Sequence, residues 1–260
     1  MATGISRKAW NKYLDALRKI NQKAAAEMEG FYNGLIRAGL NETNPEAFRK
    51  IVQRRAEEIV AYYGQASGAA AAQMYDASMK LAKSRTALPS EIAPVEPVAR
   101  GVGYNVGRTI ENGYSPKMIF SQVTKGTHQS AANTLYQNAK RDGKEFAWVP
   151  VGETCAYCIE LASYGWRPAR EDTEEGDDHQ VHANCDCQFS VRDQRTGGGG
   201  VAGYNPEKYE KIFANADGET SKEKINSIRR EQYAENKDVI RAQQREAYAE
   251  RVEREDTSDK

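Results

Sequence analysis

Four cysteines and a histidine fall into two short runs, Cys155-Ala156-Tyr157-Cys158 and His182-Ala183-Asn184-Cys185-Asp186-Cys187. A Cys-x-x-Cys turn points two sulfurs at one centre, and a second run of donors from a distant point of the chain can complete a tetrahedron. Zinc suits this donor set, with thiolates at about 2.3 Å and imidazole at about 2.0–2.1 Å. Five candidates compete for four positions. In an extended strand residues i and i+2 share a face, so Cys185 and Cys187 can both ligate. The site is then all-thiolate, or it combines Cys155, Cys158 and His182 with one of the last two cysteines. His179 is a weaker donor inside an acidic stretch. Closed, thiolate-rich coordination leaves no place for a water, so the zinc is expected to be structural. Reduced thiols or an internal disulfide pair are the alternatives without a metal. A thioredoxin-like redox centre is disfavoured, because the helix-after-strand context of a βαβ unit is not expected.

Other chemistry finds little support. The chain has three histidines, and His128 falls mid-helix, where a packing or surface role is expected rather than a base. No phosphate loop, nucleophile elbow, His-Glu-x-x-His or deaminase His-x-Glu is present. The glycines from Gly101 to Gly107 miss the dinucleotide spacing by one residue and follow no strand. Six acids lie between Glu171 and Asp178, in a spacing that matches no calcium loop, and a solvated loop is expected there. No enzymatic activity and no small-molecule substrate are expected.

Lys+Arg and Asp+Glu number 37 each, so a global electrostatic grip on nucleic acid is not expected. No apolar run approaches the roughly 18 residues of a membrane span. The first ten residues lack the apolar core of a signal peptide, so synthesis in the cytoplasm is expected.

The cysteines need elements to hold them. The pattern predicts an α+β, mostly α-helical chain: a long N-terminal helical hairpin or bundle, a small metal-stapled β subdomain and a charged C-terminal helix. In the hairpin (1–88), Ser6 is an N-cap. Trp10, Leu17, Ala24, Phe31 and Ala38 recur every seven residues, interleaved with Leu14, Asn21, Met28 and Leu35. Asn44-Pro45-Glu46 opens the second helix, where Gly64, Gly68 and Ala72 offer a face that another helix can approach closely. Pro89, Pro94 and Pro97 break the chain, and helix resumes at Arg100 and again at Ser115-Pro116, giving a helical segment over 89–143. A β unit over 144–196 has strand-like runs at Phe146–Val151, Gly165–Arg167 and Gln188–Val191. A sheet this small is marginal without a staple. Gly197 to Gly200 read as the start of a flexible linker, 197–218. Thr220 and Glu223 have capping-box spacing and open a charged helix and tail, 219–260. Within it Arg230–Glu235 and Arg245–Glu250 nearly repeat, and its few apolar residues suggest a solvated extension or docking on a partner.

The run from Trp148-Val149-Pro150-Val151-Gly152 through Thr154–Cys158, Leu161-Ala162-Ser163, Gly165 and His182–Cys187 resembles the minor capsid and head-morphogenesis proteins of tailed phages, akin to the F protein of phage Mu. The resemblance is specific over Trp148–Val191, and the N-terminal part agrees in texture only. It implies a low-copy structural protein built into the virion head with the portal and/or major capsid protein. In that family the cysteine elements read as a metal-binding or folding signature, which carries over to Cys155, Cys158, His182, Cys185 and Cys187. The acidic insert and the charged tail depart from the family. Partner contacts are expected on the N-terminal hairpin or the β unit. The alternative is a zinc-containing nucleic-acid-binding protein packaged or ejected with viral DNA. Interspersed Arg, Lys, Glu and Asp along the tail allow at most weak DNA contact.

Overall fold

The computed structural model describes residues 4–152, 154–170, 181 and 185–238 of the chain. A short strand β1 (Gly4–Ile5) leads into α1 (Arg7–Arg37), the turn α2 (Leu40–Thr43) and α3 (Pro45–Leu81). The expected caps are in place. Ser6 Oγ accepts from the Ala9 N–H at 3.2 Å, and Asn44 Oδ1 from the Ala47 N–H at 3.1 Å. On α1, Trp10, Leu14, Leu17, Ala24 and Met28 are buried, while Phe31 and Leu35 are half-buried and Ala38 is exposed. The heptad stripe therefore fades where α1 outruns the core, just before Gly39 turns the chain at φ +69°. The polar seam residue Asn21 is satisfied across the bundle, accepting from the Thr127 hydroxyl at 2.5 Å.

Next come α4 (Glu96–Glu111) and α5 (Pro116–Arg141). The former starts four residues before the expected Arg100, because Pro97 fits the first helical turn, where its missing N–H is not needed. Central α3 packs on α1, α4 and α5. Its small residues permit this: a Cβ on Gly64 would lie 2.5 Å from Val95 Cγ1 and 2.7 Å from Ser130 Oγ, and one on Gly68 2.5 Å from Ile92 Cγ2. The proline-rich segment between α3 and α4 has no ladder partner, and α5 side chains satisfy its backbone instead. Asn138 Oδ1 accepts from the Glu91 N–H (2.9 Å) and its Nδ2 donates to Glu91 O (2.7 Å). Thr134 Oγ1 accepts from Ala93 N–H, and Asp142 Oδ2 from Leu88 N–H. Asn138→Ala leaves both Glu91 groups without this buried partner and is expected to cost about 1–3 kcal/mol, read by thermal denaturation.

Gly143 (φ +62°) ends α5 and turns the chain into β2 (Glu145–Val149). Then follow α6 (Ala156–Ser163), β3 (Arg167–Pro168), β4 (Gln188–Arg192), β5 (Gly199–Val201) and α7 (Pro206–Asn215). A further helix, α8, runs over 221–238. The sheet has the order β3-β2-β4, antiparallel throughout, with Phe146 opposite Val191 and Trp148 opposite Phe189. All five residues of β2 are buried. The Trp148 and Phe189 rings lie 4.3 Å apart and Phe146 and Phe189 5.1 Å apart, which joins the sheet to the lower halves of α1, α3 and α5 in one apolar core. A second core fills the other end of the bundle, around Met28, Phe48, Ile59 and Ile119. The fold is α+β and mostly helical, as the sequence predicts.

The four glycines do not form the expected flexible linker. Gly199–Val201 pairs in parallel with Gly4–Ile5, and the Ala202 N–H donates to Ile5 O at 2.8 Å. Glycine is required here for close approach. A Cβ on Gly199 would lie 2.9 Å from Ser78 O, and one on Gly200 2.7 Å from Trp166 Cζ2. The capping box does form, with the Thr220 N–H donating to Glu223 Oε2 at 3.0 Å and the Glu223 N–H to Thr220 Oγ1 at 3.3 Å. The first turns of α8 dock on the chain itself, with Ile228 buried against Ala156 and Ile159 of α6. The acidic stretch from Glu171, His179, His182 and the second tail repeat lie outside the described residues. No helix among the described residues is long and apolar enough to cross a membrane.

Candidate metal centre

Sheet topology brings the two cysteine runs together. Val149 at the end of β2 pairs with Gln188 at the start of β4, so the loop leaving β2 and the segment entering β4 meet at one end of the sheet. Cys155 is the N-cap residue of α6, and Cys158 stands in its first turn. The Cys-x-x-Cys therefore opens a helix after a strand, unlike the isolated turn read from the sequence. It is still not a βαβ unit, because β3 returns antiparallel to β2.

The Sγ atoms of Cys158, Cys185 and Cys187 all lie within 4.8 Å of one another, and Cys158 and Cys185 are 3.3 Å apart. Sulfurs at about 2.3 Å from a tetrahedral ion stand about 3.8 Å from each other, so these three fit one ion. Cys155 adjoins the group through a sulfur contact with Cys158. Cys158 and Cys187 are buried, Cys185 is half-buried and Cys155 is exposed; none of the four is in a disulfide. Of the five predicted donors, the structure thus gathers three, sets Cys155 beside them, and leaves His182 outside the described residues.

The surroundings favour sulfur in its charged form at Cys187. Contacts from Cys158 and Cys185, and the Val151 backbone N–H, hold its thiol well below the usual range against the effect of burial. Cys158 is pushed up, first by its contacts with Cys155, Cys185 and Cys187 and then by burial. Together these describe sulfurs that cannot all ionise unless a cation replaces the shared protons. A divalent ion does that, and thiolate-rich donors select zinc or another soft metal. The Cys187 N–H donates to Cys185 Sγ at 3.3 Å, a backbone dipole that supports charge on that sulfur.

A cleft of about 420 Å³ lies between the exposed side of the cysteine cluster and helices α1 and α5. Its walls include Arg18 and Gln22 of α1, Lys125 and His128 of α5, and Cys155 and Asp186. Arg18 Nε donates to Asp186 Oδ2 at 3.0 Å and so ties α1 to the residue between the two later cysteines. His128 is 3% exposed, in the wall of this cleft. Sequence reading missed Arg18 and Lys125, because nothing local marks a residue whose partners come from remote parts of the chain.

The far end of the same sheet is clamped by charge. Lys144, just before β2, donates from Nζ to Asp193 Oδ2 (2.6 Å), Ser84 Oγ (2.8 Å) and Thr86 Oγ1 (2.7 Å). Lys144 and Asp193 are both 2% exposed. Ser84 also hydrogen-bonds Asp193, so the α3–α4 connection, the start of β2, the end of β4 and the glycine turn meet at one ion pair. No motif announced this pair.

None of the curated proteins matches the chain, and none of the solved structures does. The model of one family, described as VG15 protein, matches residues 4–216, from β1 through α7 and across the whole sulfur cluster. On that match over most of its length, the chain belongs to the VG15 protein family, a family of phage proteins.

Proposed function

We propose that this phage protein is a non-enzymatic component of head assembly, a minor capsid or head-morphogenesis protein of the phage Mu F type. It works in the virion head beside the portal and/or major capsid protein. Its β unit is a rigid knob stapled by a structural zinc. The single observation that carries this reading is the convergence of Cys158, Cys185 and Cys187, with Cys155 adjoining, at the open end of a three-stranded sheet. Bound there, the ion crosslinks two loops. The residues do the rest: Val151 and Cys187 donate backbone N–H groups to sulfur, and Arg18 holds Asp186 in place. Extended helices present contact surface. Tyr62, Tyr104 and Tyr114 are all more than half exposed on or beside α3 and α4, where a protein partner can be met.

Elemental mass spectrometry of the purified chain tests the staple, with about one zinc per chain expected and none in the quadruple cysteine-to-alanine variant. Co-expression with portal and major capsid proteins tests the location: the chain should sediment with portal-containing proheads. If it stays unassembled and binds duplex DNA with a steep salt dependence, the nucleic-acid reading replaces this one.

A further inference from the structure

The eight-residue helix α6 has two working faces. Cys158, Leu161 and Ala162 point into the main core and the sulfur cluster, while Ala156 and Ile159 point away from it and receive Ile228 of α8. Tyr209 and Phe213 of α7 and Ile225 of α8 pack around that second contact. Gln232 Nε2 adds a hydrogen bond of 2.7 Å to Thr154 O, the carbonyl next to Cys155. The seat of α8 is thus the back of the helix whose front carries the proposed ligands.

That seat has little stability of its own. A helix of eight residues is too short to persist in water without tertiary support. The N-cap of α6 makes no side-chain cap hydrogen bond, and its first turn has no acidic residue. Its start is held by the sulfur cluster on one face and, through Ala156 and Ile159, by Tyr209 and Phe213 of α7 on the other. The grip of α8 is also small: one buried isoleucine, one half-buried isoleucine, buried Ser227, half-buried Lys224 donating to Phe213 O and Ala214 O, and the half-buried Gln232 and Asn236 further along. The remaining described residues of α8 beyond Ile228 are exposed. The helix also lies beyond residues 4–216, the part shared with the family.

We infer that α8 is a detachable arm whose docking is governed by the metal centre: an ion on the cysteines fixes α6 and seats the arm, and loss of the ion frees it. The released arm offers a protein partner a charged helix with an Ile225/Ile228 apolar pair at i, i+3 spacing. This rests on the metal-stapled reading above. By linkage the coupling is reciprocal, so unseating the arm must weaken metal binding by the same factor by which metal removal weakens the seat.

Hydrogen exchange on the full-length chain, zinc-loaded and chelator-treated, tests the first direction. Protection over 221–238 is expected to fall by at least about tenfold on chelation, while peptides within Pro45–Leu81 should remain unexchanged over the short labelling times that exchange the arm. Ile228→Asp tests the second: zinc affinity, measured by competition with a chromogenic chelator, should drop by a matching factor. If zinc binds but protection over 221–238 is unchanged on its removal, or if Ile228→Asp binds zinc as tightly as the parent, the arm is independent of the centre. If every region loses protection together, the ion holds the whole chain and governs no separate arm. A chain that binds no zinc sinks the staple reading itself.

Discussion

Cys158→Ala should strip the chain of its ion and lower its stability by roughly 5 kcal/mol, since metal binding at a structural site is folding free energy. For a chain of this size that corresponds to a fall of roughly 10–20 °C in melting temperature. Two effects add. The buried Cys158 side chain fills space beside Leu161 and Ala162, and its sulfur contacts Cys155, Cys185 and Cys187. Cys155→Ala removes an exposed sulfur, so it loses no core packing and should be the milder of the two. Calorimetry with and without chelator makes the comparison. The parent should melt lower with chelator, and Cys158→Ala should not respond to it. Near-ultraviolet circular dichroism should lose the signal of Trp148, whose ring packs at a tilt against Phe189 in the sheet that the centre staples. Identical melting of the parent with and without chelator would remove the staple from the account.

Asp193→Ala is expected to destabilise by about 3–5 kcal/mol, because Lys144 is then left as a buried charge without its counterion. Replacing both, Lys144→Met with Asp193→Leu, removes the uncompensated charge and should recover most of the loss. The pair also gives a pH signature. Burial raises the Asp193 carboxyl, but hydrogen bonds from Lys144, Ser84 and the Arg195 N–H outweigh it and hold the group at about 2. The unfolded value is about 3.9. A carboxyl depressed on folding stabilises above its unfolded value and loses that contribution as pH falls through the folded one. The full contribution, about 2.6 kcal/mol, is therefore lost progressively between about pH 5 and pH 1, most steeply from pH 4 to pH 2. Chemical denaturation at successive pH values should show this decline in the parent and not in Asp193→Asn. A parallel decline in both would assign the acid sensitivity elsewhere.

Much of this architecture is written in local signals. Ser6, Asn44 and the Thr220/Glu223 pair cap the helices they precede, and the small residues of α3 sit where α5 and the proline segment press closest. The sulfur runs are legible because soft donors at such spacings serve few other ends. What stayed hidden is long-range. Arg18 meets Asp186, and Lys144 meets Asp193, through chain topology that no window of residues encodes. Gly197–Gly200 misled for a different reason: a glycine run signals either freedom or crowding, and only the neighbours Ser78 and Trp166 decide which. The tail misled through scarcity, since two isoleucines are few for a core stripe yet enough to dock one helix on a short platform.

The ladder between Gly4 and Gly199 has a consequence for biosynthesis. Strand β1 leaves the ribosome long before β5 and cannot pair until all the elements between them have followed it. Until then the leading residues remain without their mate, and the bundle must mature with an unsealed seam. Closure of that seam is a late event by sequence separation alone, and such events are the slowest that a nascent chain undertakes. A stop codon upstream of the glycine run would therefore yield a helical body that never seals, while one placed after Val201 preserves the seam. Shortened versions meant for partner mapping should end beyond that point.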